Sequence, residues 1–397
     1  MLNNASPMTS SAPSTSYIAS VDLMRGLVIV LMALDHVRGF FTEADFSSTD
    51  LSRTDWALFL TRWITHLCAP TFVFLAGTSA FLSAARGMDH RQLAGRLFYR
   101  GLWLVILEVT VVRFSWYFNL DYSQMSLQVI WALGWSMVVL SALSYLPLWA
   151  IASIGAVMIF GHNLLDGLDD IWLEEFQTAE DRLEWQGWLL SVLHIQRYPV
   201  IYPLIPWIGV MATGYAFGPV MQWPLTVRRK AALGWGILLI AAFVILRTYN
   251  SYGDPSPWSP QETTLFTLLS FVNTTKYPPS LLYLLMTLGL MFILLSAFEQ
   301  AHGAQRAIGR FFITFGRVPL FFYLLHLYVI HVLALIVAYG MSGNLYSSSS
   351  QFPSWWGFGL PVVYLIWIGV VMLFYPVCRW FAAVKSRHKG RRWTPYI

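Results

Sequence analysis

Charge is what this chain has least of. Only 11% of its 397 residues are Asp, Glu, Lys or Arg, where a soluble chain uses about a quarter. So few ionised groups cannot cover a water-facing surface. With 57% hydrophobic residues, 16% aromatics and a mean hydropathy of +0.56, a soluble globular protein, a disordered chain and a collagen-like chain are all excluded. Cysteine is nearly absent. Cys68 and Cys378 lie far apart in apolar stretches, which excludes a disulfide scaffold and shows no redox or zinc pattern. No close His-x-x-x-His or His-x-x-Glu pattern is present, so no metal is expected. The first 17 residues lack a basic segment followed by an apolar core and a cleavage site. They read as a Ser/Thr-rich disordered tail rather than a secretory signal. An internal repeat, the mark of many transporters, is not visible. The net charge of +5 does not point to nucleic acid, because the basic residues sit in short loops between apolar runs.

What is present is a series of apolar runs. A membrane span needs about 20 mostly apolar residues, and ten segments qualify: 20–41, 59–83, 96–114, 126–145, 147–162, 200–219, 231–249, 279–297, 316–339 and 360–383. The fold class expected is an all-α, polytopic membrane helix bundle filling residues 18–384. A large polar loop covers 163–198 and a basic tail 385–397. The stretch 303–314 reads as a short interfacial helix. With the N-terminus in the cytoplasm, the inside loops gather Arg86, Arg91, Arg96, Arg100, Arg228, Arg229, Lys230, Arg306, Arg310 and Arg317, and the tail adds six more basic residues. The 163–198 loop outside collects acids. Ten spans return the basic tail to the cytoplasm, so both termini are expected inside, in a multi-pass protein of a bacterial inner (plasma) membrane whose bilayer is its first partner.

The first span, VDLMRGLVIVLMALDHVRGFF, is not an ordinary anchor. Its uninterrupted apolar run extends only from Leu27 to Leu34, flanked by Arg25, Asp35, His36 and Arg38. Ionised groups at membrane depth cost roughly 2.5–3.5 kcal/mol on insertion scales, so they tend to be functional. Snorkelling to the headgroups is the competing explanation for Arg25 and Arg38. Arg25 and His36 are eleven residues apart, three turns plus about 20°, so they share one helix face about 16 Å apart along the axis. A guanidinium suits a phosphate and an imidazole suits proton transfer near neutral pH. A phosphate-bearing donor with a long arm could be held at Arg25 and react at His36.

Other polar residues fall in the outer half of the membrane. Span two has His66, with Pro70 four residues on, where it frees carbonyls. Ala76, Ala80 and Ala84 form a stripe expected to allow close helix packing. Span three adds Glu108 and Arg113, and span nine adds His326 and His331, about 140° apart around the helix and so not bound to face one pocket. Each alone is as readily a satisfied packing residue; together they suggest a polar chamber open to the outside. Lys276, before Pro278 and Pro279, is either a surface lysine or a group for an acidic acceptor. Most of the outer tryptophans read as interfacial belt, with a few free to stack on a sugar.

At these residues the chain resembles the heparan-alpha-glucosaminide N-acetyltransferase-like family of membrane acyltransferases. The segments are VDLMRGLVIVLMALDHVRGFF, THLCAPTFVFLAGTSAFL, YPLIPWIGVMATGYAFG, KYPPSLLYLLMTLG and GRVPLFFYLLHLYVIH, from Val21 to His331, with YPLIPWIG and KYPPSL the most specific. The Arg-x10-His spacing is also similar to the signature of the acyltransferase-three family. The resemblance implies transfer of an acyl group, acetyl in the first instance, from cytoplasmic acyl-CoA (acetyl-CoA) as co-substrate to a sugar amine or hydroxyl across the membrane, with no tightly bound cofactor. The lysosomal family member has its catalytic histidine in the loop after span one. Here Thr42 to Leu58 holds Trp56 but no histidine, so the role passes to His36 or His66. On this reading His36 is general base or transient acyl carrier, His66 or Glu108 polarises it, and Arg25 binds donor phosphate. Asp35, Arg38, Arg113, Lys276 and His331 line the acceptor side. Homo-oligomerisation is left open. The rival function is a proton-coupled transporter or permease using the His/Glu set as a relay; a third is a non-catalytic partner of an envelope complex.

Overall fold

The computed structural model describes residues 18–167, 185–300, 307–388 and Arg391. The 1–17 tail, the acidic stretch 168–184 of the large loop, Arg306 and most of the basic tail lie outside the described residues. The described residues form helices and loops with no strand among them. In chain order the helices are α1 (Ala19–Phe41), α2 (Trp56–Ile64), α3 (Cys68–Ala84), α4 (His90–Leu107), α5 (Arg113–Tyr117), α6 (Val129–Leu143), α7 (Leu148–Gly161), α8 (Trp185–Leu193), α9 (Leu204–Phe217), α10 (Leu225–Tyr249), α11 (Thr264–Val272), α12 (Leu281–Gln300), α13 (Ala307–Gly316), α14 (Pro319–Ser342) and α15 (Leu360–Arg387). A 3-10 turn, Thr65–Leu67, joins α2 to α3, and a π turn, Glu108–Val112, joins α4 to α5.

The ten apolar segments are all helical, and among the described residues seven helical stretches are long and apolar enough to cross a membrane. The other three fall short for different reasons. Helix α1 carries Asp22, Arg25, Asp35 and Arg38; the α4–α5 stretch carries Arg96, Arg100, Glu108 and Arg113; α6 has only 15 residues. Of the two charge-bearing segments, α1 lies inside the bundle, while α4 packs on α6 and exposes Tyr99, Trp103 and Ile106. α1 buries Met24, Val28, Ile29, Ala33 and Val37 against α3, α12, α13, α14 and α15. Exposed apolar surface, suited to lipid, is also large on α7, α10 and α15.

Close backbone approaches set how the helices cross. A Cβ on Gly26 would sit 1.8 Å from the Phe312 carbonyl oxygen, and one on Gly316 would sit 1.8 Å from that of Asp22, so α13 lies directly against the start of α1. It packs on α1 with Ile313, Phe315 and Gly316 buried. The α3–α9 crossing works in the same way: Gly77 meets the Met211 carbonyl, Gly214 meets that of Phe74, and the Thr78 hydroxyl donates to Gly214 O at 2.9 Å. The close packing of α3 therefore comes from Gly77. Ala76 and Ala80, expected at a helix contact, pack on the core and also line a cavity. The N-terminus of α1 is tied to α12 and α10 through Glu299, which accepts from Ser20 Oγ at 2.5 Å and from Arg228 Nη2 at 2.7 Å.

Candidate active site

Five cations converge where α1, α4, α14 and α15 meet. Arg25, Arg96, Arg100, Arg317 and Lys385 line one mouth of a cavity of about 320 Å³. Asp22, Ser79 and Ser83 complete its polar rim, and above them the walls become apolar, with Ile29, Met32, Phe72, Ala76, Leu133 and Leu320. Arg25 is held by Asp22 at 2.9 Å and by the Ser79 hydroxyl. The Nε of Arg100 is buried with no hydrogen-bond partner among the described residues. Of the five, sequence reasoning assigned only Arg25 to a site. The others read as ordinary loop and tail charges, and no spacing in one segment could reveal that four segments meet here.

The far end of the cavity is marked by Met32, one turn below His36 on α1, and by Tyr323, one turn below His326 on α14. The Tyr323 ring stands edge-on to His36 at 5.9 Å. His36 Nδ1 lies 2.7 Å from His326 Nε2, and His326 Nδ1 lies 2.8 Å from the Phe322 carbonyl oxygen. The two imidazoles are 18° from parallel with centroids 4.9 Å apart, and the Trp116 ring closes on His36 edge-on at 5.4 Å. His326 is fully buried and His36 retains 8% of its surface. Arg25 and His36 thus occupy the two ends of one stripe on α1, with the cavity alongside.

A second cluster lies on the other side of His36. Asp35 accepts from Arg38 Nη2 at 3.0 Å and from Arg62 Nη1, and Arg38 also donates to Ser48 Oγ at 2.8 Å. Arg62 also lies within electrostatic range of Tyr277, and Tyr277 of Tyr202. The Tyr202 and Tyr277 rings are 5.3 Å apart, so YPLIPWIG and KYPPSL meet here. The Lys276 ammonium stands 5.2 Å over the Tyr277 ring and within electrostatic range of Asp35, His36 and His66. His66 is buried, with Nδ1 lacking a partner among the described residues. Its carbonyl accepts from Tyr283 Oη at 2.8 Å. That oxygen is available because Pro70, four residues on, has no N–H to offer it. Asp35, Arg38 and Arg62 keep 14–17% side-chain exposure, so this cluster is reached by solvent.

Two of the residues expected in the chamber, Arg113 and His331, are engaged elsewhere, and a third, Glu108, is engaged in part. Glu108 Oε1 accepts the Gln128 N–H at 2.9 Å at the start of α6, where orphan N–H groups and the helix dipole favour an anion, while its Oε2 is buried with no partner among the described residues. Arg113 bonds the Asn119, Asp121 and Gln124 carbonyls, the last at 3.1 Å, and stacks on Tyr122 at 4.6 Å. It fastens the loop after α5. His331 has both nitrogens engaged, Nδ1 with Ser115 O at 2.9 Å and Nε2 with Ser349 N–H at 3.1 Å, and its ring stacks on Phe118. Among the described residues no group of three or more His, Cys, Asp or Glu side chains is placed to hold a metal ion.

No curated protein matches the chain. The family model described as heparan-alpha-glucosaminide N-acetyltransferase, catalytic, matches residues 18–246. That match takes in Arg25, His36, Arg62, His66, Arg96 and Arg100. His326, Tyr323, Lys276, Arg317 and Lys385 come from the remainder of the chain. With well over half of its length matched, this membrane-embedded helical chain belongs to the heparan-alpha-glucosaminide N-acetyltransferase catalytic family, a family of acetyltransferases.

Proposed function

We propose that the protein moves an acetyl group from acetyl-CoA, bound at the basic mouth, to a carbohydrate amine or hydroxyl presented at the Asp35–Arg62–Lys276 cluster. One observation carries the reading: a single cavity begins among five cations and ends one turn below His36. CoA carries phosphates at one end and a thioester on a long arm. Arginine forks suit the phosphates, and the apolar walls suit the arm. The positive charge of the mouth also fits the cytoplasmic side by the positive-inside rule, which makes the bacterial inner membrane the setting in keeping with the sequence.

His36 is the base in this reading. It takes a proton from the acceptor as the acceptor nitrogen or oxygen attacks the thioester carbonyl. The C–S bond breaks, and the proton passes to the departing thiolate. Arg62 and Lys276 would meet an anionic group on the acceptor, because Arg38, Arg62 and Lys276 face a single carboxylate, Asp35. His66, with a bare nitrogen in the same cluster, is placed to orient the acceptor.

The test uses sealed vesicles with labelled acetyl-CoA on the basic-mouth side and an amino sugar on the other. The expected result is labelled sugar from wild type and a fall of roughly 10²–10⁴-fold in His36→Ala, the contribution of a positioned base. Near-normal turnover in His36→Ala, or no transfer and no CoA release by the wild type under any acceptor, would contradict the reading.

A further inference from the structure

His326 has no role in the scheme above, yet it is fully buried in the membrane core and makes two hydrogen bonds of defined direction. A carbonyl oxygen only accepts, so the Phe322 oxygen at 2.8 Å requires a proton on His326 Nδ1. A neutral imidazole then has a lone pair on Nε2. His36 Nδ1, 2.7 Å from that lone pair, must be the donor. The second nitrogen of a neutral His36, Nε2, is therefore unprotonated, and it has no hydrogen-bond partner among the described residues. Two neighbours hold this arrangement in place. Phe322 stacks on His326 at 4.7 Å, 5° from parallel, and Trp116 stands edge-on to His36.

We infer that His326 is a positioning residue which, through the Phe322 carbonyl, fixes the tautomer of His36 so that Nε2 is the basic nitrogen. The inference rests on the acyl-transfer reading for its consequence, but not for its geometry. When Nε2 accepts the acceptor's proton, the imidazolium of His36 keeps its Nδ1–H on His326 Nε2, which steadies the charge in a site without a nearby carboxylate partner of its own on that nitrogen. On collapse of the tetrahedral adduct the proton leaves Nε2 for the CoA sulfur, and His36 returns to its starting tautomer. No bond to His326 is made or broken.

The arrangement also explains how this chain does without a histidine in the 42–58 segment. A histidine 290 positions along the chain supplies the orientation that a local partner could not, since Asp35, adjacent to His36, points about 100° away around α1 and is engaged by Arg38 and Arg62.

Two measurements test it. In His326→Phe the ring volume and the stack on Phe322 are kept and the acceptor nitrogen is lost. The expected result is a fall in kcat of about 10²–10³-fold with KM for acetyl-CoA within about threefold, since the donor cavity is untouched. His326→Gln, whose amide oxygen can accept from Nδ1–H, should recover about tenfold of that loss. Equal kcat in wild type and His326→Phe, or a parallel rise in KM, would overturn the inference. The second measurement needs no folded variant at position 326: ¹⁵N-histidine NMR of the wild type in lipid, with His36→Gln to assign the His36 signals. Protonated Nδ1 and bare Nε2 on His36 are expected. A protonated Nε2 overturns the inference even if transfer is observed, whereas the expected tautomer in a protein that transfers nothing leaves the geometry standing and removes the acyl-transfer reading.

Discussion

Besides the arginines paired with a carboxylate, such as Arg62 and Arg228, two kinds of arginine inside this molecule look alike in the sequence. Arg247, on α10, is fully buried, and its guanidinium is enclosed by the carbonyls of Phe271 at 3.0 Å, Ser256 at 2.9 Å, Ser270 at 3.2 Å and Asn273 at 2.5 Å, with Asp254 at 3.9 Å. Arg113 is enclosed by loop carbonyls in the same manner. Arg25 and Arg100 line an open cavity, and Arg100 retains a buried donor with no partner among the described residues. An intramembrane arginine is thus not in itself a sign of a binding site. Where its donors close on carbonyls it replaces the water that a loop would otherwise need; where they border empty space it can receive a ligand.

The comparison is most exposed to test at the caged residues. Arg247→Met leaves several carbonyls and Asp254 without their cation, so the expected loss of stability is on the order of 3–5 kcal/mol, as for one partner removed from a buried pair. Thermal unfolding in detergent or nanodiscs measures it. If Arg247→Met melts like wild type but binds acetyl-CoA poorly, the division into caged and receiving arginines is wrong. A smaller effect is expected at Glu108. Its carboxylate accepts at the start of α6, and Glu108→Gln keeps an oxygen there while losing the charge, so about 0.5–2 kcal/mol of stability should go with kcat nearly unchanged. A collapse of kcat at unaltered stability would instead put Glu108 in the chemistry, the role its position in span three suggested.

Much of the fold was legible because a long apolar run in a membrane must satisfy its backbone groups within the segment, and so becomes a helix. All ten apolar segments are helices, and the effect of Pro70 on the His66 carbonyl follows from one missing N–H. The Arg25–His36 stripe could be read because both residues lie on one helix, where 100° per residue fixes their relation. The partners of that stripe could not. Arg96, Arg100, Arg317 and Lys385 reach the mouth from three other helical regions, and each is equally well explained alone by the charge bias of inner loops. His326 was visible as an intramembrane histidine, but its angular separation from His331 said only that the two face different ways. The structure shows one on His36 and the other tied to Ser115 and Ser349. The alanine stripe of α3 told only part of the story, because small side chains serve equally at a helix contact and in a cavity wall, and Ala76 and Ala80 pack on the core while bordering the cavity. The close crossing is set by Gly77, whose hydrogen lets α9 approach more closely than any alanine could.

The central claim is that the basic-mouthed cavity is the donor site, and titration of acetyl-CoA into nanodisc-embedded protein addresses it most directly. Wild type should bind saturably, and Arg25→Gln and Arg100→Gln should each weaken the apparent affinity by roughly 10–150-fold, the value of one charge-assisted hydrogen bond at about 1.5–3 kcal/mol, with melting behaviour preserved. Arg25→Lys should recover only part of the loss, because lysine lacks the bidentate fork. Unchanged acetyl-CoA binding in both glutamine variants, with the protein folded, would contradict the account.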